Sequence, residues 1–289
     1  MPNIRLIKRR IRSIRNTAKI TKAMELVAAS KMRRAQERAL QGRPYDQKLR
    51  QVIADLMAAH CRDRGEDLHP LLSRRHVNSV GIIHITADRG LCGGLNSNVN
   101  RRSASLVLER QVSVEFVAVG RKGRDFLLRT GQRVVAEFTR LGDRPKMTDI
   151  QPIARIAVDD YLKGQVDEVN IVYPQFVTTM TQRPVVQRLL PVEPSVFPAK
   201  QNVDYIFEPD PGFVLDHLLP RFVEMEIYHA ILETAASEQS ARMVAMKSAS
   251  DNASEIVEEL TLEYNKARQE MITKELLDLM GAAASGQGR

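Results

Sequence analysis

A chain of 289 residues, 43% hydrophobic and 27% charged, has the length for one ordinary domain plus extensions. Its 43 Lys and Arg exceed 35 Asp and Glu, giving a formal net charge of +8 that calls for an acidic partner. The composition excludes several classes. Zero Trp and 5% aromatics leave no stacking platform for single-stranded nucleic acid, and no run of eighteen apolar residues spans a membrane. Cys61 and Cys92 offer neither a disulfide framework nor zinc-ligand spacing, which fits a reducing compartment. The basic N-terminus is not followed by an apolar region and cleavage site, so no signal peptide is expected.

In chain order, the first predicted element is a long helix. From Asn3 to Gln41 there is no Gly or Pro. Alternating steps of three and four pick out Ile4, Ile7, Ile11, Ile14, Ala18, Thr21, Glu25, Ala28, Met32, Ala35 and Ala39, the spacing of a left-handed coiled coil. Gly42, Pro44 and the segment around Gly65 are read as breaks.

The middle of the chain changes period. Runs rich in β-branched residues, Ser79 to Thr86, Val112 to Val119, Gln132 to Phe138 and Val166 to Val177, read as strands. Between them, Asn96 to Arg110, Lys122 to Arg129 and Thr148 to Leu162 read as helices, the last with Thr148 or Asp149 as N-cap. This alternation predicts a small α/β domain with a largely parallel sheet. Pro184 to Val192 adds a strand whose proline places it at an edge.

Pro-rich connections lead to a second long helix, with no Gly or Pro from Arg221 to Met280. Its seam runs Leu232, Ala236, Gln239, Met243, Met246, Ser250, Ala253, Val257, Leu260, Tyr264, Ala267, Met271. The two termini are matched in charge as well as period. Residues 1–50 hold fifteen Lys or Arg against three acids, while residues 211–289 hold thirteen acids against seven Lys or Arg. Paired antiparallel, the C-terminal helix overhangs its partner by roughly twenty residues, about 30 Å. The projecting end, Ile272 to Ser285, is apolar and implies a socket in another protein, a frayed terminus being the plainer alternative.

Candidate chemistry mostly fails. The loop Ala87 to Asn98 follows a strand and opens a helix, where a phosphate could sit, but Gly90, Gly93 and Gly94 do not make a dinucleotide fingerprint or a P-loop. Cys92 has no His near it in sequence. The six histidines, His60, His69, His76, His84, His217 and His229, form no i, i+4 pair, and His84 reads as a core or sheet-face residue. No cofactor and no metal are expected.

Several blocks nevertheless resemble one family closely. Lys19 to Gln36 (KITKAMELVAASKMRRAQ), Asp88 to Asn96 (DRGLCGGLN), Ser237 to Ala253, Tyr264 to Gln269 and the closing ITKELLDLMGAAAS resemble, in this order and over the full length, the γ subunit of F-type ATP synthase. The resemblance implies a long antiparallel left-handed coiled coil formed by the N- and C-terminal helices, with a central Rossmann-like α/β domain that binds no nucleotide. The implied segments are 1–60, 76–195 (the foot) and 211–285. The implied role is the non-catalytic central-stalk rotor that couples ion-driven c-ring rotation to ATP synthesis or hydrolysis on the β subunits. The implied partners are the α, β and ε subunits, with δ as a further candidate, and the membrane c-ring. Nucleic acid is not among them, and the membrane is met only through the complex, at the cytoplasmic face of the cell membrane.

Residue by residue, the resemblance assigns Arg268 and Gln269 to the β catch loop, and Met24, Arg242 and Thr273 to coupling between rotation and catalysis. It assigns Asp88, Arg89 and Cys92 to the acidic levers of β, and Tyr205 and Glu208 to the c-ring and ε. Plainer readings stand beside these: Met24 and Thr273 as packing residues, Arg242 as the partner of Glu238, and Tyr205 as a cap on the foot. The Pro194 to Asp204 segment is short and free of Cys, unlike plant chloroplast relatives, so no thiol switch is expected. Two readings of other classes compete: a basic coiled-coil nucleic-acid binder, and a small-molecule enzyme built on the Gly90 to Gly94 turn.

Overall fold

The computed structural model describes residues 4–64, 69–142, 144–193, 208 and 210–286. The chain forms two compact units, residues 28–242 and residues 1–27 together with 243–289.

The larger unit is built on a five-stranded sheet in the order β3-β2-β1-β4-β5. The strands are β1 (Ser79–Ile85), β2 (Ser113–Val119), β3 (Val134–Phe138), β4 (Glu168–Phe176) and β5 (Gln182–Leu190). The first four are parallel, with Ile85 beside Val119 and Val80 beside Glu168. β5 returns antiparallel from a tight hairpin and forms the edge, where Pro184 is tolerated. Helices α2 (Leu95–Arg110), α3 (Arg121–Arg129) and α4 (Met147–Leu162) make the crossovers. Val99, Leu106 and Leu127 from α2 and α3 pack one face of the sheet. Ile150, Ile153 and Ala157 of α4 cover the other. The N-cap of α4 is Lys146, two or three residues before the expected Thr148 or Asp149; Asp149 caps from inside the first turn, its carboxylate accepting the Lys146 N–H at 2.8 Å.

The terminal helices differ from the sequence reading in two respects. The expected breaks at Gly42 and Pro44 do not end the first helix, and α1 runs Ile4–Arg64 with Pro44 inside it. A proline within a helix costs about 3 kcal/mol through its lost bond and ring clash. The offset comes from burial beyond it, where Leu49, Ile53 and Leu56 join the core under the sheet. Gly42 faces α5 (Pro211–Gly286), where a Cβ would stand at van der Waals distance, 3.4 Å, from His229. α5 likewise starts before Pro220 and places Leu215, Leu219, Phe222 and Val223 in the same core. A buried polar node joins α1, α5 and β5. The Arg50 guanidinium bonds Glu226 and, at 2.9 Å, Asp46, while Gln187 donates to Glu226 at 2.6 Å. Arg50 also stacks 5.0 Å above the Phe222 ring.

In the smaller unit α1 and α5 run antiparallel. Ile7 and Ile11 pack with Ala267, flanked by Leu260 and Tyr264, and Ser250 donates to the Ala18 carbonyl. Ile7, Ile11 and Thr21 on one helix and Met246, Ser250, Ala253 and Ala267 on the other are buried, as a 3.5-residue seam requires. The seam ends one step earlier than read. Met271 is 41% exposed, and among the described residues Ala267 is the last buried position of the seam. Among the described residues no helix is long and apolar enough to cross a membrane.

Candidate functional site

The turn after β1 is held from three sides. Asp88 accepts the Arg121 N–H with one carboxylate oxygen and the Arg140 N–H with the other, both at 2.9 Å. Asn96 on the first turn of α2 donates to the Cys92 Sγ at 3.3 Å and accepts from the Ala87 N–H at 3.0 Å. Arg242 of α5 reaches in to donate to the Gly90 carbonyl at 3.1 Å while pairing with Glu238 at 2.7 Å. Its expected i, i+4 partner is therefore present, and so is a second contact that no local spacing encodes. The Cys92 thiol is buried in this packing, and its pKa is pushed up by desolvation, with Arg242 pulling it back. Arg89 and Leu91 are exposed.

In open sheets of this kind ligands sit outside the carboxyl ends of the strands, where the strand order reverses. Here that point lies between β1 and β4, and α5 crosses it. Ser237 donates to the Pro174 carbonyl of β4 at 2.9 Å, Ser240 to the Thr179 carbonyl of the hairpin at 2.7 Å, and Arg242 to Gly90 after β1. The crevice is filled by the chain's own helix. Sequence reading missed Ser237 and Ser240 as site residues; the only signal for them was the occurrence of small hydroxyl residues in a helix otherwise patterned for coiled-coil packing.

His84 is fully buried on the α2–α3 face of the sheet, between Ser103 at 2.8 Å and Asn100 at 3.0 Å. Burial lowers its pKa to about 4, against a smaller raising effect of the Asn100 bond. The unfolded chain titrates near the ordinary 6.5, so from pH 6.5 down to 4 the unfolded state holds more proton than the folded one. His84 thus leaves stability intact above about pH 6.5 and removes up to about 3 kcal/mol as pH falls to 4. His84→Gln, which keeps groups able to bond Ser103 and Asn100, is expected to flatten that limb in denaturant titrations across this pH range. An unchanged slope would take His84 out of the acid response.

The remaining candidates fall as follows. In the smaller unit, Met24 is half-buried on α1, and Arg268, Gln269 and Thr273 are exposed on α5 just past the last buried seam residue. Thr273 returns its hydroxyl to the Gln269 carbonyl at 2.9 Å. In the larger unit Glu208 is exposed, and Tyr205 lies outside the described residues. Among the described residues no group of three His, Cys, Asp or Glu is placed to hold a metal ion.

A doubly wound sheet whose ligand crevice holds its own helix, joined in sequence to an antiparallel helix pair with an uncovered end, defines a protein organised around helix packing and surface contact. The comparisons with known proteins give the family. The family model described as ATP synthase matches residues 3–285. The ATP synthase gamma chain of Dehalococcoides mccartyi is 59% identical over 285 residues, 99% of each chain. That of Roseiflexus castenholzii is 50% identical over 288 residues, again 99% of each. Among solved structures, the central stalk and c-ring of Tetrahymena thermophila mitochondrial ATP synthase contains a chain with TM-score 0.64 and 26% identity, covering 80% of this chain and 99% of that one. A chain of the Euglena gracilis enzyme shares the fold at TM-score 0.67, 18% identity and coverage of 98% and 94%. The chain belongs to the ATP synthase gamma chain family.

Proposed function

We propose that the chain is the non-catalytic central-stalk rotor of a bacterial F-type ATP synthase, a peripheral subunit of F1 at the cytoplasmic face of the cell membrane. It couples ion-driven rotation of the c-ring to ATP synthesis or hydrolysis on the β subunits. The observation that carries this reading is the end of α5. Beyond Ala267 the helix continues to Gly286, and within it Ile272, Leu276, Leu277, Leu279 and Met280 are exposed, in a chain related to gamma chains over its whole length. Such an end fits a socket formed by other subunits.

On this reading residues 1–60 and 211–285 form the shaft, and residues 76–195 form the part that meets ε and the c-ring, with Glu208 and Tyr205 contributing. Arg268 and Gln269 engage the β catch loop; a guanidinium and an amide suit reversible capture by carboxylates and hydroxyls. Met24, Arg242 and Thr273 serve coupling. Asp88, Arg89 and Cys92 form the turn beneath the acidic levers of β, where the burial of Cys92 supports a shaping role for its thiol and the exposure of Arg89 a contacting one. The partners are α, β and ε subunits and the c-ring, with δ as a further candidate.

The test is assembly. Mixed with α and β subunits of its own organism, the chain is expected to enter a complex at one copy per three α and three β, with ATP hydrolysis that depends on its presence. Failure to assemble, together with salt-sensitive binding to duplex DNA, would replace this reading with the nucleic-acid one.

A further inference from the structure

Serine and threonine inside a helix commonly turn the hydroxyl back to a carbonyl one turn earlier. On α5, Thr234 does so to Ala230 at 2.7 Å, and in the smaller unit Ser254, Thr261 and Thr273 do the same to Ser250, Val257 and Gln269. Ser237 and Ser240 do not. Both are fully buried, and each donates to a carbonyl of the β4–β5 hairpin, Ser237 to Pro174 at 2.9 Å and Ser240 to Thr179 at 2.7 Å.

The hairpin is shaped to receive them. Pro174 and Pro184 stand opposite each other in the β4–β5 ladder and neither has an N–H, so the Pro174 carbonyl takes its donor from α5 instead. At the tip, the Thr181 N–H closes the turn on the Thr178 carbonyl at 3.2 Å and hydroxyl at 3.1 Å. The Gln182 amide then donates to the Thr179 carbonyl at 3.1 Å and to the Ser240 hydroxyl at 3.4 Å, closing a ring of contacts around Ser240. Before this point α5 is held mainly by apolar burial from Leu215 to Ile231, which has no preferred direction. Hydrogen bonds weaken steeply when misaligned, so the hydroxyl pair resists turning of the helix where apolar packing does not. Glu226, bonded to Arg50 and Gln187, is an earlier directional hold, and the hydroxyl pair carries that hold on toward residue 242, where the unit ends.

We propose that Ser237 and Ser240, gripped by the β4–β5 hairpin, fix the rotational register of α5 against the sheet, so that a torque applied to the sheet turns the helix without slip. They touch no reacting group and act through α5, as positioning residues. The clasp is separate from the Arg242 bond to Gly90, which reaches the turn after β1 and not the hairpin. The inference rests on the rotor reading and goes beyond it by naming the side chains that lock the sheet to the long helix.

The test is torsional stiffness in the complex assembled with α and β and fixed to glass. A bead is coupled through Arg101→Cys, an exposed position on α2, in a Cys61→Ser background, and its angular fluctuations are recorded with the complex stalled. The angular variance is expected to widen severalfold in the Ser237→Ala, Ser240→Ala double variant. Thr234→Ala also removes a buried hydroxyl from α5, but one that bonds only its own helix, and is expected to keep the native variance whatever it costs in thermal stability. Gln182→Ala, which leaves both buried serines in place, is expected to widen the variance less, and it carries the test if the double variant does not fold. A native variance in the double variant, or in Gln182→Ala where that variant carries the test, overturns the inference and leaves the rotor reading standing. Equal widening in Thr234→Ala also overturns it, by making the effect one of general loosening. Failure of the chain with native Ser237 and Ser240 to assemble with α and β overturns the rotor reading and the inference with it.

Discussion

Arg268→Ala, assayed in the complex reassembled with α and β, is expected to lower ATP hydrolysis roughly tenfold to a hundredfold, the scale of one hydrogen-bonded charge at about 1.5–3 kcal/mol. The mass of the assembly and the thermal transition of the chain should not change. Arg268 is exposed and, among the described residues, forms no ion pair within the chain, so its truncation takes nothing from the fold. Its neighbour Ala267 is the last residue buried in the seam, which makes Arg268 the first side chain past the paired helices. Arg268→Lys keeps the charge but not the fork and should fall between the two. A native hydrolysis rate in Arg268→Ala would remove the residue from the catch contact while leaving the rotor assignment intact.

The largest effect on stability is expected at Gly120. It stands at φ +93 where the ends of β1 and β2 meet, and a Cβ there would lie 2.0 Å from the Thr86 carbonyl oxygen. The backbone cannot withdraw, because the Gly120 N–H bonds the Phe138 carbonyl at 2.8 Å and the Thr86 N–H bonds the Val119 carbonyl at 2.8 Å. Gly120→Ala should therefore cost about 4 kcal/mol or more, in the range reserved for changes the fold cannot absorb. Gly131→Ala makes the comparison, since Gly131 is at φ +69 with nothing near a Cβ and should lose only backbone strain, about 1 kcal/mol. Denaturant midpoints for the two variants decide the matter. Equal small losses would mean that the crossing at Thr86 is looser than its geometry.

The sequence carried the element pattern of this chain well because period is a local signal. Alternating β-branched runs placed five strands within a few residues of their positions, and steps of three and four placed the seam through Ile7, Ile11 and Ala267. Gly42 and Pro44 misled for a physical reason: propensity prices a break locally, whereas Leu49, Ile53 and Leu56 are buried by residues distant in sequence. The same distinction governs the site. Arg242 and Glu238 were legible as an i, i+4 pair, but the Gly90 carbonyl lies 152 positions from Arg242 and has no sequence signature. The resemblance assigns Asp88 to the levers of β, and nothing in DRGLCGGLN says that its two oxygens are already taken by Arg121 and Arg140. Backbone hydrogen bonds from remote turns are the part of a site that composition and spacing do not encode.

The uncovered end of α5 has a thermodynamic consequence. Initiating a helix is the costly step in water, and a segment as short as residues 268–286 is marginal when isolated. Here the turns before it, held by Ile7 and Ile11 against Ala267, have already met that cost, so the end extends by propagation alone. A partner that receives it meets an element whose backbone is already ordered. Little conformational entropy is then lost on docking, and the contact should report itself as a negative heat-capacity change from apolar burial without the large ordering entropy of coupled folding.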